Sequence, residues 1–491
     1  MLEVHNAFLA LIAHKIAPFQ FDIGFGVVNA SIRDQIVRAQ MIVRALAQLN
    51  ESHRTRPLLI CGAGIAGLAA ATEAKRIGLG FVLIDKEEFP SGALAGAGTR
   101  YLSPTMYEWP AHLFDEHRHP PADGTFLAAD KKTGFLMNFT APVSMEKLRL
   151  DLEAKLGRNL ITLKNNAKQF KKKNWYLPNI RIDDSSKKDL QSLLTPVDPI
   201  PTLPIGLPPI ILTDALSGVI NRTIEVDWII FAGGFSAEET NYAGIDFDTP
   251  PFWSSDDLTH LYFGITGISH VSALIVGSGD GAIQDAIRCL IDKKVPHPVA
   301  IWKEIIKDIT PNITHNPRNL DVILKEILSL DQYSNTSYMW SGKKEIFQSV
   351  DAAHVRLANE LLALQPSIGN NIRSILRSDV SLVRIQRNRK YFTRCYALNR
   401  FLIHLIKIVL DIKQILRKCP KLVFGHGNIE ESAISLAPDK KTYTWKSHTF
   451  HRVVIRIGGK YKDYQTIGLS GIDAARVQFG RIPPPFVPTK S

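Results

Sequence analysis

Apolar residues along this chain fall into three patterns, and each predicts a different element. Unbroken short runs occur at Leu58–Cys61, Phe81–Ile84, Trp228–Ala232 and Ala273–Val276, each closed by glycine or aspartate. Such runs, bounded by turn residues, predict strands buried on both faces, as in a parallel sheet. A second pattern is helical. Ile32, Ile36, Ala39, Val43 and Leu46 recur at 4-3-4-3 spacing behind Ser31 and Asp34, which make a capping box. This predicts an N-terminal helical extension over residues 1–56 with one stripe to bury. Helical spacing returns from Lys303 to about residue 378 and again around Leu398–Leu410. Strand-like stretches begin at Val380, Lys421 and His451. The third pattern is proline. Six prolines between Pro196 and Pro209 predict an extended surface connection within 190–210.

Two of the buried runs lead into glycine turns of the same spacing. Gly62, Ala63, Gly64, Ile65, Ala66 and Gly67 form a G-x-G-x-x-G sequence. Gly277, Ser278, Gly279, Asp280, Gly281 and Ala282 repeat it with alanine last, 215 residues later. In such a turn the first glycine permits the tight bend and the second lets backbone approach a pyrophosphate. The third lets helix and strand pack closely. Phosphates then sit at the helix N-terminus, where free N–H groups and the macrodipole favour negative charge. Asp85 closes the second strand of the first unit, 23 residues after Gly62, where a carboxylate takes ribose hydroxyls; Lys86 follows it. The same count from Gly277 reaches Ala300, within the short apolar run Pro298–Trp302. Lys303 follows, with no acid, so a 2′-phosphate and NADP are favoured over NAD. Asp280 and Asp285 flank the start of the second helix. The dipole favours them there, but Asp280 would oppose a bound pyrophosphate. The fold class expected is therefore α/β, with two doubly wound Rossmann-like units, a helical insertion and the N-terminal helical extension.

The order of these pieces resembles the two-dinucleotide-binding-domain flavoproteins, the group containing thioredoxin and glutathione reductases and the class B flavin monooxygenases. GAGIAG at 62–67 looks like their FAD-binding turn, and VDWIIFAGG at 226–234, with Gly233, like the strand that returns to the FAD domain. GSGDGAIQDA at 277–286 is similar to their pyridine-nucleotide motif, and HRVVIRIGG at 451–459 to a second returning strand. The resemblance implies four parts. These are the extension 1–56, an FAD domain over 57–235, an NAD(P)-binding unit over 236–420 with helical insertion 303–378, and completion of the FAD domain by 421–491. It implies an FAD-dependent oxidoreductase fed by NADP or NAD and acting on a small-molecule substrate. The missing Gly-Asp motif and the absent acid near Ala300 point to an alternative, a non-catalytic nucleotide-binding scaffold or sensor with a degenerate second site, and two departures weaken the family resemblance. No Gly-Asp motif follows residue 459 in good context, Gly471-Ile472-Asp473 being the nearest, and the helical insertion is larger than usual.

The segment from Arg100 to His119 follows the small-residue stretch Ser91–Gly98. In related flavoproteins that region approaches the flavin ring, so Arg100, Tyr107 and Trp109 are candidates for cofactor or substrate contact, with packing as the alternative. His112, His117 and His119 lack the Cys/His grouping of a structural zinc site, and no metal is expected. His270 reads as a loop residue.

The remaining composition narrows the class. Four cysteines, Cys61, Cys289, Cys395 and Cys419, include no C-x-x-C pair. This fits a reducing, cytoplasmic setting and argues against a dithiol–disulfide reductase. A net charge of +12 gathers locally at Lys171–Lys173 and Arg384–Lys390, without any nucleic-acid motif, and reads as solvated surface. No run has the length of a transmembrane helix, and Ala7–Phe19 lacks the features of a signal peptide. The helical insertion offers a surface for a protein partner.

Overall fold

The computed structural model describes residues 11, 14–23, 32–49, 56–103, 106, 109–110, 142–151, 174–193, 206–233, 238, 241–242, 245–247, 249–309, 319–341, 343–412, 419–427, 434–436, 442–445 and 448–457. The proline-rich stretch expected at 190–210 lies largely outside these residues.

Among the described residues, two short strands, β1 (Lys15–Ala17) and β2 (Gln20–Asp22), come before helix α1 (Ile32–Leu49). Strand β3 (Leu58–Cys61) runs through the first glycine turn into α2 (Ile65–Arg76), and β4 (Phe81–Ile84) follows. A small antiparallel pair, β5 (Tyr101–Leu102) and β6 (Val143–Ser144), precedes β7 (Trp175–Leu177). Strands β8 (Ile180–Ile182), β9 (Ile210–Asp214) and β10 (Ile220–Ile224) make a separate antiparallel sheet. Then β11 (Trp228–Phe231) returns to the main one. The main sheet has the order β1-β2-β11-β3-β4-β7, parallel except for β1.

The N-terminal extension is thus not all helix. Gln20, Phe21 and Asp22 are buried and pair in parallel with Ile229, Ile230 and Phe231. The physical reason is the free edge of β11, whose unpaired N–H and C=O groups need a partner strand. Helix α1 behaves as its spacing predicts. Ile36, Ala39, Val43 and Leu46 are buried against α2, where Ala69, Ala70, Ala71 and Ala74 permit close approach. Glu73, buried between the helices, is held by Arg44 and Arg76, each at 2.5 Å.

The second unit repeats the plan. Short strands β12 (Asn241–Tyr242) and β13 (Ile245–Asp246) lead to β14 (Val271–Val276). The second glycine turn follows, and then α3 (Asp280–Leu290). Four helices come next: α4 (Pro298–Ile306), α5 (Leu320–Ser341), α6 (Ile346–Leu364) and α7 (Ser367–Ser374). Only then comes β15 (Val380–Arg387), followed by α8 (Ala397–Asp411) and β16 (Lys421–His426). An antiparallel meander of β17 (Ile434–Leu436), β18 (Tyr443–Trp445) and β19 (His448–Phe450) ends in β20 (Arg452–Ile455). The parallel sheet has the order β16-β15-β14-β20. Numbered within each unit, the central strands of both sheets read 3-2-1-4, and in both a three-stranded antiparallel sheet precedes the fourth strand. Among the described residues no helix is long and apolar enough to cross a membrane.

Two expectations are corrected here. Residues 421–457 do not complete the first unit. Strand β20 pairs with β14, from Ala273↔Arg452 to Val276↔Ile455, and so covers an otherwise open edge of the second sheet. Residues 458–491, with the Gly471–Asp473 stretch, lie outside the described residues. The run Pro298–Trp302 is the start of a helix and not a strand. Pro298 occupies the first helical position, and His297 caps it by accepting Ala300 N–H at 3.1 Å. Lys303 accordingly sits exposed on α4, away from any strand end.

The two units meet over one buried ion cluster. The Asp285 carboxylate accepts from Arg100 of the first unit, from Arg288 Nη1 at 3.1 Å, and from Arg456 Nε at 2.8 Å. Asp256 accepts from Arg100 Nη2 at 2.8 Å and from both Nη atoms of Arg288 at 2.8 Å. Burial works to raise the Asp285 carboxyl, but Arg100, Arg456 and Arg288 outweigh it and hold it well below the usual range. Its contribution to stability is therefore complete above the unfolded carboxylate value of ~3.9 and is lost as pH falls below it. Asp285→Asn leaves three guanidinium groups without their shared anion and should cost about 3–5 kcal/mol. Melting curves across acid pH should show a lower midpoint and a flatter acid limb in the variant.

Candidate functional site

The first glycine turn is assembled from backbone. Gly62 has φ 106°, a left-handed conformation, and an added Cβ would lie 2.6 Å from Ala232 O. Gly62 N–H donates to Ile84 O at 2.8 Å, and Ser91 N–H to Ala63 O at 2.8 Å, so three loops converge on the turn. Gly67 packs tighter still, because its Cβ would fall 1.8 Å from Gly62 O. Gly64 differs from both. A Cβ there meets no atom of the chain within 4 Å, and the same is true at the exposed Gly233 just past β11. The steric requirement for glycine at 62 and 67 thus comes from the protein, and among the described residues nothing imposes one at 64. The first N–H of α2 with an acceptor inside the chain is that of Leu68, to Gly64 O at 2.9 Å. The donors before it, from half-buried Ile65 and Ala66 and from Gly67, are the surplus that every helix N-terminus leaves over.

Asp85 has a role that spacing alone did not disclose. One carboxylate oxygen accepts Ala63 N–H from within the turn, and the other accepts Glu87 N–H at 2.8 Å. Burial pushes its carboxyl up, against the pull of those bonds. Asp85 therefore holds the glycine turn in shape. Lys86 is exposed, 3.9 Å from Glu87. Ser91, unremarked in the sequence apart from starting a small-residue stretch, is buried at φ 55° with its hydroxyl unpartnered. An orphaned hydroxyl beside the turn and an open Gly64 both fit a bound polar group such as a dinucleotide.

The second turn has the same backbone plan and a different surface. Gly277 donates to Gln386 O at 2.9 Å, and its Cβ would lie 2.3 Å from Arg456 O and 3.1 Å from the buried Ala282. A Cβ on Gly281 would meet the Phe252 ring at 3.4 Å. Residues 393–399 then close over the helix end. Asp280 N–H donates to Arg394 O at 3.0 Å, and Thr393 N–H to Ser278 O at 2.7 Å. The Asp280 carboxylate accepts Gln284 Nε2 at 2.6 Å, Asn399 Nδ2 at 2.8 Å and Tyr396 N–H at 3.0 Å, and burial pushes its carboxyl up. The Ser278 hydroxyl donates to Asn388 Oδ1 at 3.1 Å, and Gly279 stands 3.6 Å from Arg394 O by its would-be Cβ. The closing segment is itself clamped. Arg400 donates to Phe392 O at 3.0 Å and to Asp351 at 2.8 Å, and His404 Nε2 lies 2.9 Å from Asp351.

Other sequence candidates sit elsewhere. Arg100 is not on an open face, since it is buried against Asp256 and Asp285 with its guanidinium 4.2 Å above Phe252. Trp109 lies in the apolar core of the second unit, 5.3 Å from Trp302 and 5.8 Å from Phe401. A large apolar ring in a polar loop is drawn to that core by burial. His270 is exposed. Tyr107, His112, His117 and His119 lie outside the described residues. The second strand of the second unit is β15, after the helical insertion, and Asn388, Arg389 and Lys390 follow it. Arg389 donates to Glu345 and to the Tyr391 hydroxyl, at 2.8 and 2.7 Å, while Asn388 and Lys390 are exposed.

Residues 60–126 match the NAD(P)-binding Rossmann-like domain family. No protein of curated function matches the chain in sequence. Among solved structures it is similar to the thioredoxin reductase of Lactococcus lactis, with 11% identity over 82% of this chain and 77% of that one, at a TM-score of 0.30. It is similar to the bacillithiol disulfide reductase of Staphylococcus aureus, with 10% identity over 84% and 79%, at 0.35. The ornithine hydroxylase of Pseudomonas aeruginosa gives 10% over 82% and 83%, at 0.32. Likeness this distant carries no information about activity.

The contrast within the first turn is open to measurement. Gly67→Ala forces a Cβ into the Gly62 carbonyl and should destabilise by at least about 3 kcal/mol. Gly64→Ala, with open space and extended backbone, should change stability by no more than about 1 kcal/mol. Thermal or denaturant melts of the two variants, without added nucleotide, check the order.

Proposed function

We propose that this protein is an FAD-dependent oxidoreductase that takes its electrons from NADPH and acts on a small molecule. The observation that carries the reading is the first glycine turn. Its backbone is fixed on every side except at Gly64, and surplus helix N–H groups stand next to that opening. Gly62–Gly67 would hold the pyrophosphate, and Asp85 would take ribose hydroxyls with the lone pairs it does not spend on Ala63 and Glu87. Gly233 and Lys86 border the same turn. Bound FAD supplies the electron-carrying chemistry, while the chain binds and orients it. The order of the two units, with the second following the returning strand β11, supports FAD on the first and a nicotinamide on the second. At the second, Arg389, which pairs with Glu345 at 2.8 Å, and exposed Lys390 stand where the strand order puts the ribose. Cations there favour a 2′-phosphate, so the preference for NADPH is kept while Lys303 is replaced as its source.

A second reading draws on the closure of the second turn by residues 393–399. With Asp280 N–H already bonded to Arg394 O and a buried carboxylate beside it, that turn favours a structural unit. The protein would then be a non-catalytic FAD-binding scaffold or sensor.

The purified protein is expected to be yellow and to release FAD on denaturation, and a colourless protein that takes up no added FAD would overturn the first reading. Gly64→Val should fold and lose most bound FAD, measured as flavin absorbance per protein. Anaerobic mixing with NADPH should bleach the flavin; a flavin that neither NADPH nor NADH reduces supports the scaffold. Arg389→Glu with Lys390→Glu should weaken NADPH roughly tenfold and spare NADH, because two partly exposed pairs are worth up to ~1 kcal/mol each.

A further inference from the structure

An open cavity lies where the first unit meets the second. Arg100 and Tyr101 come to it from the first unit, Arg288 from α3, and Lys293 and His297 from the turn that leads into α4. Its lining has three cationic side chains and one carboxylate, Asp292. That carboxylate accepts Lys294 N–H at 2.9 Å.

Behind the wall, Arg100, Arg288 and Arg456 surround Asp256 and Asp285, and Glu238 lies 3.8 Å from Arg456. Arg100 and Arg288 are both at least nine-tenths buried, and each leaves Nε without an acceptor in the chain. His297 adds an oriented donor. Its Nδ1 accepts Ala300 N–H, which puts the ring proton of the neutral form on Nε2. Burial first, and then Lys303, push this histidine down to about 4, so the ring is neutral at pH 7. The ring stands 5.5 Å from that of Tyr101. His297 also caps α4, so the positive end of that helix lies at the cavity wall.

We propose that this cavity is a binding site for a small oxyanion, a carboxylate or a phosphate, held by Lys293 and His297 beside Arg100 and Arg288. It uses neither glycine turn, so it stands or falls separately from the dinucleotide reading. Both oxyanions present the same charged oxygens to these donors, and the choice between them is one for titration.

The test is calorimetric titration of the full chain with sodium phosphate and, separately, sodium malonate, at fixed ionic strength and pH 7. A saturable heat with a Kd near or below about 1 mM is expected for at least one of them, and the responder identifies the source. Lys293→Met should weaken it roughly fivefold, the scale of one partly exposed ion pair. Lys293→Met with His297→Gln should weaken it further. Lys421→Met, a change of equal charge on strand β16, should leave it as in the wild type. Absence of saturable heat for both anions up to about 10 mM overturns the proposal. So does wild-type affinity in Lys293→Met, a surface change that leaves the His297 cap intact, or equal weakening by Lys421→Met.

Discussion

Asp285 is the point on which the two halves of this protein turn. It is a fully buried carboxylate reached by guanidinium groups from three places: Arg100 in the first unit, Arg288 one turn along its own helix, and Arg456 at the end of β20. Burying such a group is unfavourable unless its partners are well placed, and a cluster of this kind contributes more to specifying one arrangement than to net stability. Here the arrangement specified is between sheets. Arg100 cannot leave without stranding charge, so the loop after β4 stays against α3. Arg456 holds β20 beside β14 for the same reason.

With that frame set, the two glycine turns can be compared as chemistry. Both bend through a glycine whose side chain would strike a returning strand, Ala232 in one case and Arg456 in the other. Both are followed by a helix. The difference lies in what the rest of the chain does at the helix end. In the first unit an acid from the neighbouring strand, Asp85, supports the turn from its side and leaves the front clear. In the second, the acid is on the helix itself, and Asp280 recruits Tyr396, Asn399 and Gln284 around it. A motif of identical spacing is thus open at its helix end in one place and a partly self-capped joint in the other.

The cavity at the junction follows from the same division of labour. Two basic side chains of its lining, Arg100 and Arg288, are already part of the lock between units, while Lys293 and His297 are not needed for it. The helical insertion has a similar double use. It separates α3 from β15, which moves the ribose position away from Lys303, and through Asp351 it fastens the segment that closes over Asp280.

Much of this was legible in short stretches of the chain. Four-residue apolar runs ending in glycine became the central parallel strands, because a strand covered on both faces has no polar side to show. The 4-3-4-3 stripe became α1 packed on an alanine face, and the jobs of Gly62 and Gly67 followed from spacing. What the chain in one dimension did not determine depends on partners far apart. The N-terminal Gln20–Asp22 is too short to read as a strand, and it is one because β11 has an open edge. Arg100 and Trp109 read equally as cofactor contacts or as packing; buried charge holds the one against Asp256 and Asp285, and buried apolar area draws the other into the core of the second unit. Lys303 lost its place because the second strand of its unit lies beyond 70 further residues, a distance no fixed count can cross. Sequence determined which segments must be buried and where backbone must bend, since those are local demands. Tertiary structure decided which charges meet and which helix ends stay open, since those depend on neighbours supplied from elsewhere in the chain.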